Sequence, residues 1–249
     1  MEIISSHFGV DATYNAAALH LIKTNHIDAV SCLAFSKGAE KDYHALLRSK
    51  HDNPSLKIGL QFILSSQLCK PLSSYFPNGQ FLPHAHFSCN AHLGLLDGAA
   101  LKLELLAQWR AFQDIFGYAP DFIAGYKNIQ ALPIVSQIIA EILAEKAFQG
   151  VVLLKKQRFF NLSIQAYKVK KHYQYYQINV EQDISHLTPR LFKKIKQSLA
   201  QNDYHPPLPN IIYTTPRLYK SNEVTMKSDL LSACPQFNQI IAIAEANNE

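Results

Sequence analysis

The chain has 249 residues, of which 48% are hydrophobic and 17% charged, with a formal net charge of +5. That size and apolar content suit one large domain, residues 1–249, with its own core, and exclude a disordered chain. No apolar run approaches the roughly 18 residues that cross a bilayer, and the opening Met1-Glu2-Ile3-Ile4-Ser5-Ser6 has no basic leader, so neither a membrane span nor a secretory signal is expected.

Glu2 to Ser6 reads as a buried strand closed by Gly9, and Asp11 as the N-cap of a helix from Ala12 to Thr24, because its carboxylate can accept the free N–H groups of the first turn. Asp28 to Phe35 is a second strand, Glu40 to Ser49 a polar-faced helix, and Lys57 to Leu64 a third strand, rich enough in Ile, Leu and Phe to be covered on both faces. From Cys69 to Gly98 the breakers Pro71, Pro77, Asn78-Gly79 and Pro83 predict a long irregular loop. A helix from Ala99 to Phe116 follows, ended by Gly117 and Pro120, then a short strand from Asp121 to Gly125. Pro133 fits the first turn of a helix reaching Lys146, and Gly150 to Leu154 is another strand. Further on, Tyr173 to Val180 alternates like a strand, Pro189 to Gln201 is helical, and Asn210 to Thr214 is a short strand. Strands alternating with helices predict right-handed β/α units, a largely parallel sheet and a single (β/α)-barrel-like domain.

Cys32, Cys69, Cys89 and Cys234 are scattered without a CxxC pair, which favours a reduced, cytoplasmic setting. The basic clusters Lys155-Lys156-Arg158, Lys168-Lys170-Lys171 and Lys193-Lys194-Lys196 are read as solvated helix faces and loops rather than a nucleic-acid surface.

In β/α barrels the chemistry sits at the C-terminal ends of the strands. Those ends carry Ser5-Ser6-His7-Phe8-Gly9, Gly59-Leu60-Gln61, Phe122-Ile123-Ala124-Gly125-Tyr126-Lys127-Asn128-Ile129-Gln130 before Leu132-Pro133, and Tyr213-Thr214-Thr215-Pro216-Arg217. In order and separation, and with Asn78-Gly79-Gln80-Phe81 between them, these segments resemble the YdjC-like carbohydrate deacetylases. That family opens with Asn-Ala-Asp-Asp-Phe-Gly, has Gly-Leu-His on its third strand and a His-rich segment on its fourth.

The resemblance implies a divalent metal held by one Asp and two His, a second Asp as general base, and removal of an acetyl group from an N-acetylated sugar. Here the paired carboxylates become Ser6 and His7, the third-strand His becomes Gln61, and the His-rich segment becomes Phe122, Ala124, Tyr126, Asn128 and Gln130, with Lys127 adding a cation. A neutral amide oxygen is a far poorer zinc ligand than imidazole. Without the metal, the water's acidity falls by up to about eight pKa units, roughly 11 kcal/mol.

The expectation is a degenerate site with no metal, no cofactor and no catalytic residue. Its pocket of Ser6, His7, Gln61, Ala124, Tyr126, Lys127, Asn128, Gln130 and Thr215 is kept for a sugar, a glycan or a protein partner. One alternative is an active hydrolase using His7 and Lys127; another is a partner-binding or structural subunit. Lys127 reads as a loop lysine in solvent and His7 as a hydrogen-bonded pocket histidine. A Ser–His pair at Ser5, Ser6 and His7 is disfavoured, because neighbours on a strand point to opposite faces. The competing metal signal is His84-Ala85-His86, with His92 beyond it, since alternate residues of an extended segment share a face. Tyr173, Tyr175 and Tyr176 could stack on sugars or bases, but read more simply as core or interface.

Overall fold

The computed structural model describes residues 2–33, 39–65, 69–76, 79–154, 163–182, 184–186 and 211–214. These fall into two compact units, each discontinuous in sequence: residues 1–30, 38–57 and 183–249 form the first, and residues 31–37 and 58–182 the second.

The first unit contains β1 (Glu2–Phe8), α1 (Ala12–Lys23), the start of β2 (Ala29–Cys32), α2 (Glu40–Asp52), β7 (Ile184–His186) and β8 (Ile211–Thr214). β8 runs parallel to β1, with Glu2 beside Ile211 and Ser5 beside Thr214, and parallel to β7 on its other side. Asp11 caps α1 as its position predicts, its Oδ1 accepting from the N–H groups of Thr13 and Tyr14 at 2.8 and 3.0 Å. Ile3, Ile4, Phe8, Leu21 and Leu46 are fully buried.

The second unit contains β3 (Lys57–Phe62, from Ile58 on), α3 (His84–Leu93), α4 (Gly98–Phe116), β4 (Phe122–Gly125), α5 (Pro133–Glu145), β5 (Val151–Leu153), α6 (Ser163–Tyr175) and β6 (Asn179–Glu181). β3, β4, β5 and β6 pair in that order, all parallel. α5 packs between α4 and α6, and Trp109, Phe62, Phe87, Phe112 and Tyr173 fill the interior. The α/β class and the parallel pairing agree with the sequence reading.

The same device sets the strand entries in both units. Asp28, before β2, accepts the Ile3 N–H through its carboxylate at 2.8 Å and donates its own N–H to the Ile3 carbonyl at 2.9 Å. Asp121, before β4, treats Ile58 in the same way, at 2.7 and 2.9 Å. A carboxylate hydrogen-bonded to backbone N–H fixes register at low cost, because the bond is charge-assisted.

Three expectations are corrected. The stretch from Cys69 to Gly98 is not wholly irregular: Pro83 opens α3 at a position where its missing N–H costs nothing, and Gly94, at φ 70°, closes it. The expected strand from Tyr173 to Val180 is instead the end of α6 followed by a turn and β6. Its aromatic alternation misled because Tyr173 is buried at helical spacing from Val169, while Tyr175 points to solvent. β1 also extends beyond Ser6 to Phe8. The predicted helix from Pro189 to Gln201 lies outside the described residues, as do Asn78, Thr215, Pro216 and Arg217.

Candidate functional site

The C-terminal end of β1 carries the first group. Ser6 is buried, and its Oγ shares a 2.7 Å hydrogen bond with Nδ1 of the half-buried His7. Neighbours on a regular strand could not do this. His7 adopts φ 69°, so the alternation that argued against a Ser–His pair breaks at that residue. The His7 carbonyl accepts the Val10 N–H at 3.1 Å, closing a turn. The buried Asn15 steadies this turn from α1: its Oδ1 accepts the Gly9 N–H at 2.6 Å and its Nδ2 donates to Asp42 Oδ2 at 2.6 Å. Asp11 is committed to its cap on α1.

The C-terminal ends of β3 and β4 carry the second group. Gln61 and Ala124 are register partners on these adjacent parallel strands, so both project to the same face. One step earlier, a Cβ at Gly59 would fall 2.4 Å from the Phe122 ring; the glycine exists to admit that ring. Past β4, Tyr126–Ala131 forms a short 3-10 segment broken by Lys127 and Asn128, both left-handed at φ 51° and 62°. The other left-handed residues that are not glycine, Asn25, Ala147 and Gln177, follow the ends of α1, α5 and α6, where such a residue ordinarily terminates a helix. His7, Lys127 and Asn128 have no such explanation. Each non-glycine outlier costs on the order of 1–3 kcal/mol and persists only where the surroundings enforce it.

Gln130 supplies the enforcement. Its buried Nε2 donates to the Leu153 carbonyl at 2.5 Å, at the end of β5, and to Asn128 Oδ1 at 3.1 Å. Its backbone carbonyl accepts the Tyr173 hydroxyl at 3.0 Å. Its Oε1, with no hydrogen-bond partner among the described residues, rests against Gly125. Lys127 is exposed, with Nζ 5.4 Å from the centre of the Tyr126 ring.

Two features of this group escape sequence reasoning. His84, at the start of α3, shares a 2.9 Å hydrogen bond with the buried Ser65 just past β3; its pKa is lowered by burial and then by the positive charge of Lys127. Because His84 and His86 lie on a helix, two positions apart, they face nearly opposite directions, and the shared face that an extended segment would give does not form. The second feature is the buried pair Glu104 and Gln108 on α4. Glu104 accepts the N–H groups of Leu72 and Ser73 at 3.1 and 2.7 Å, and Gln108 bonds both the N–H and carbonyl of Ile63. Their spacing of four residues on the apolar stripe of Leu101, Leu105 and Trp109 was the available sequence signal.

The metal implied by the family resemblance does not fit these residues. The donors at the corresponding positions are one imidazole and neutral hydroxyl or amide groups, with a lysine among them. Among the described residues no three His, Cys, Asp or Glu side chains are placed to hold one ion.

A model of the YdjC-like protein family matches residues 7–245. The chain belongs to the YdjC-like family. No curated protein matches it. Among solved structures, this YdjC-like chain resembles a protein of Enterococcus faecalis V583 named for a proposed role in cellobiose-phosphate cleavage, with 12% identity over 99% of this chain and 92% of that one and a TM-score of 0.64. It also matches the Xyl-CE4 domain of a multidomain xylanase from the hindgut metagenome of Trinervitermes trinervoides, with 9% identity over 86% of this chain and 97% of that domain and a TM-score of 0.35. The first likeness establishes a shared fold across nearly the whole YdjC-like chain.

Proposed function

We propose that this YdjC-like protein binds a sugar or glycan at the strand ends without metal-dependent deacetylation. One observation carries the reading: the segment after β4, where the family resemblance implies a histidine cluster, is locked in a left-handed turn with its amides bonded to each other and to β5, and it presents a lysine. Such a segment has polar groups and an aromatic face for a sugar, but no acid–base pair to move a proton. The family's carbohydrate chemistry and the name of the Enterococcus neighbour support a sugar as the ligand class. The scattered cysteines, with no CxxC pair, favour a reducing, cytoplasmic setting.

The hydrogen bond between Ser6 and His7 favours a second reading, in which His7 is the base of an altered hydrolase. Titration of chitooligosaccharides and of cellobiose by calorimetry, with acetate release followed in parallel, separates the two. The proposal expects binding, weakened about tenfold or more by Tyr126→Ala (about 1.4 kcal/mol), with no acetate above background. Acetate release abolished by His7→Ala would establish the second reading. No binding of either sugar class, with no acetate released, would leave a partner-binding or structural role in its place.

A further inference from the structure

The histidine-rich run that the sugar site does not absorb acquires a different meaning once it is helical. In α3, Phe87 and Ala91 are buried, while Cys89 and His92 are exposed. At about 100° per residue, Cys89 points directly away from the buried stripe, and His92 and His86 lie some 60° to either side of it. Residues three apart on a helix bring their Cβ atoms to about 5–6 Å, close enough for a thiolate and an imidazole to share one ion.

His92 is also oriented for that task. Its Nδ1 lies 2.6 Å from the Ser88 carbonyl, a contact in which the ring nitrogen must donate, so the Nε2 lone pair is left facing outward. A ring N–H held by a backbone carbonyl is the arrangement that usually backs a metal-bound histidine.

No third His, Cys, Asp or Glu joins the pair among the described residues, so one chain supplies two ligands where tetrahedral zinc needs four. A second copy about a twofold axis supplies the same two. The surroundings suit that occupant. From Phe81 to Leu96 the sequence holds no Asp, Glu, Lys or Arg, although 17% of the chain is charged, so two such faces meet without like-charge repulsion. Leu93 and Leu95, beside the pair, are 65% and 68% exposed and offer apolar surface to bury.

We propose that the outer face of α3 is a half-site for zinc, in which Cys89 and His92 of two copies of this chain complete a Cys2His2 centre and join them as a dimer. Zinc binds the thiolate, and each thiol proton passes to solvent. Cys69 does not compete, because burial, and then Glu104, push its thiol up to about 12.

The test is light scattering on the full chain, with a reductant that does not bind metal, before and after Zn²⁺ and then with chelator, alongside a Co²⁺ titration read by absorbance. The expected result is a doubling of mass at one zinc per two chains, reversed by chelator, with a thiolate-to-cobalt charge-transfer band. Cys89→Ser and His92→Asn should each abolish both effects, and His86→Asn should preserve them. Circular dichroism of each variant checks that α3 still folds. A mass unchanged by zinc, a dimer that persists in chelator, or cobalt binding retained by folded Cys89→Ser would overturn the proposal.

Discussion

Gly125 shows how much one missing side chain carries. A Cβ there would sit 2.1 Å from Gln130 Oε1 and 2.9 Å from Ile129 Cγ1, and both neighbours are buried. Gln130 has no room to move without giving up Leu153 or Asn128. Gly125→Ala should therefore lower stability by about 1–3 kcal/mol, the usual cost of overpacking, and broaden the amide resonances of residues 126–130. Thermal denaturation and an NMR spectrum check this; an unchanged melting temperature would mean that Gln130 does not hold the turn.

His84 gives the pH dependence at the same scale. Its folded pKa is depressed below 6.5, so the unfolded chain takes up a proton more readily. The stability tied to neutral His84 is complete above about pH 6.5 and falls as the pH drops through the folded value. Chemical denaturation at stepped pH should show this decline, flattened in His84→Asn. Lys127→Gln should raise the His84 pKa in an imidazole titration; an unmoved pKa would separate the two groups.

Among the elements, α4 links the core to the segment that follows β3. Glu104 holds the N–H groups of Leu72 and Ser73, and Gln108 holds Ile63, so one helix face fixes both ends of that connection. Glu104→Ala should cost about 2 kcal/mol, near the value of a hydrogen bond to a charged group. The Leu72 and Ser73 amides should then exchange with deuterium faster than those of β3. Equal exchange in the wild type and the variant would contradict this role.

Elements were legible where a local rule decided them: the Asp11 cap, the Gly117 stop, Pro133 at the start of α5, and the apolar run of β3. α3 was missed because its mean apolar pattern is weak and Pro71, Pro77 and Pro83 read as loop breakers, although a proline before the first turn opens a helix as readily as it ends one. At the strand ends, the order of the motifs put Gln61 and Ala124 on neighbouring strands, but their register was not readable from it. The Ser6–His7 bond was not foreseeable, since it depends on one left-handed residue, and nothing in the letters of His7 or Lys127 announces a positive φ.

For the whole molecule, the chain passes between its two compact units at residues 30–31, 37–38, 57–58 and 182–183. Units interleaved in this way lack the single linker that lets domains melt separately. One cooperative unfolding transition is expected by calorimetry, with equal van't Hoff and calorimetric enthalpies; two resolved transitions would contradict a single folding domain. No helix among the described residues is long and apolar enough to cross a membrane.

The proposed function rests on the strand ends of this YdjC-like chain holding no catalytic metal. The most direct measurement is the metal content of the Cys89→Ser protein, purified without chelator, because that variant removes the α3 thiol as a competing source. The expected content is far less than one Zn²⁺, Mg²⁺ or Mn²⁺ per chain. About one tightly held metal per chain, lost in a further His7→Ala variant, would contradict it.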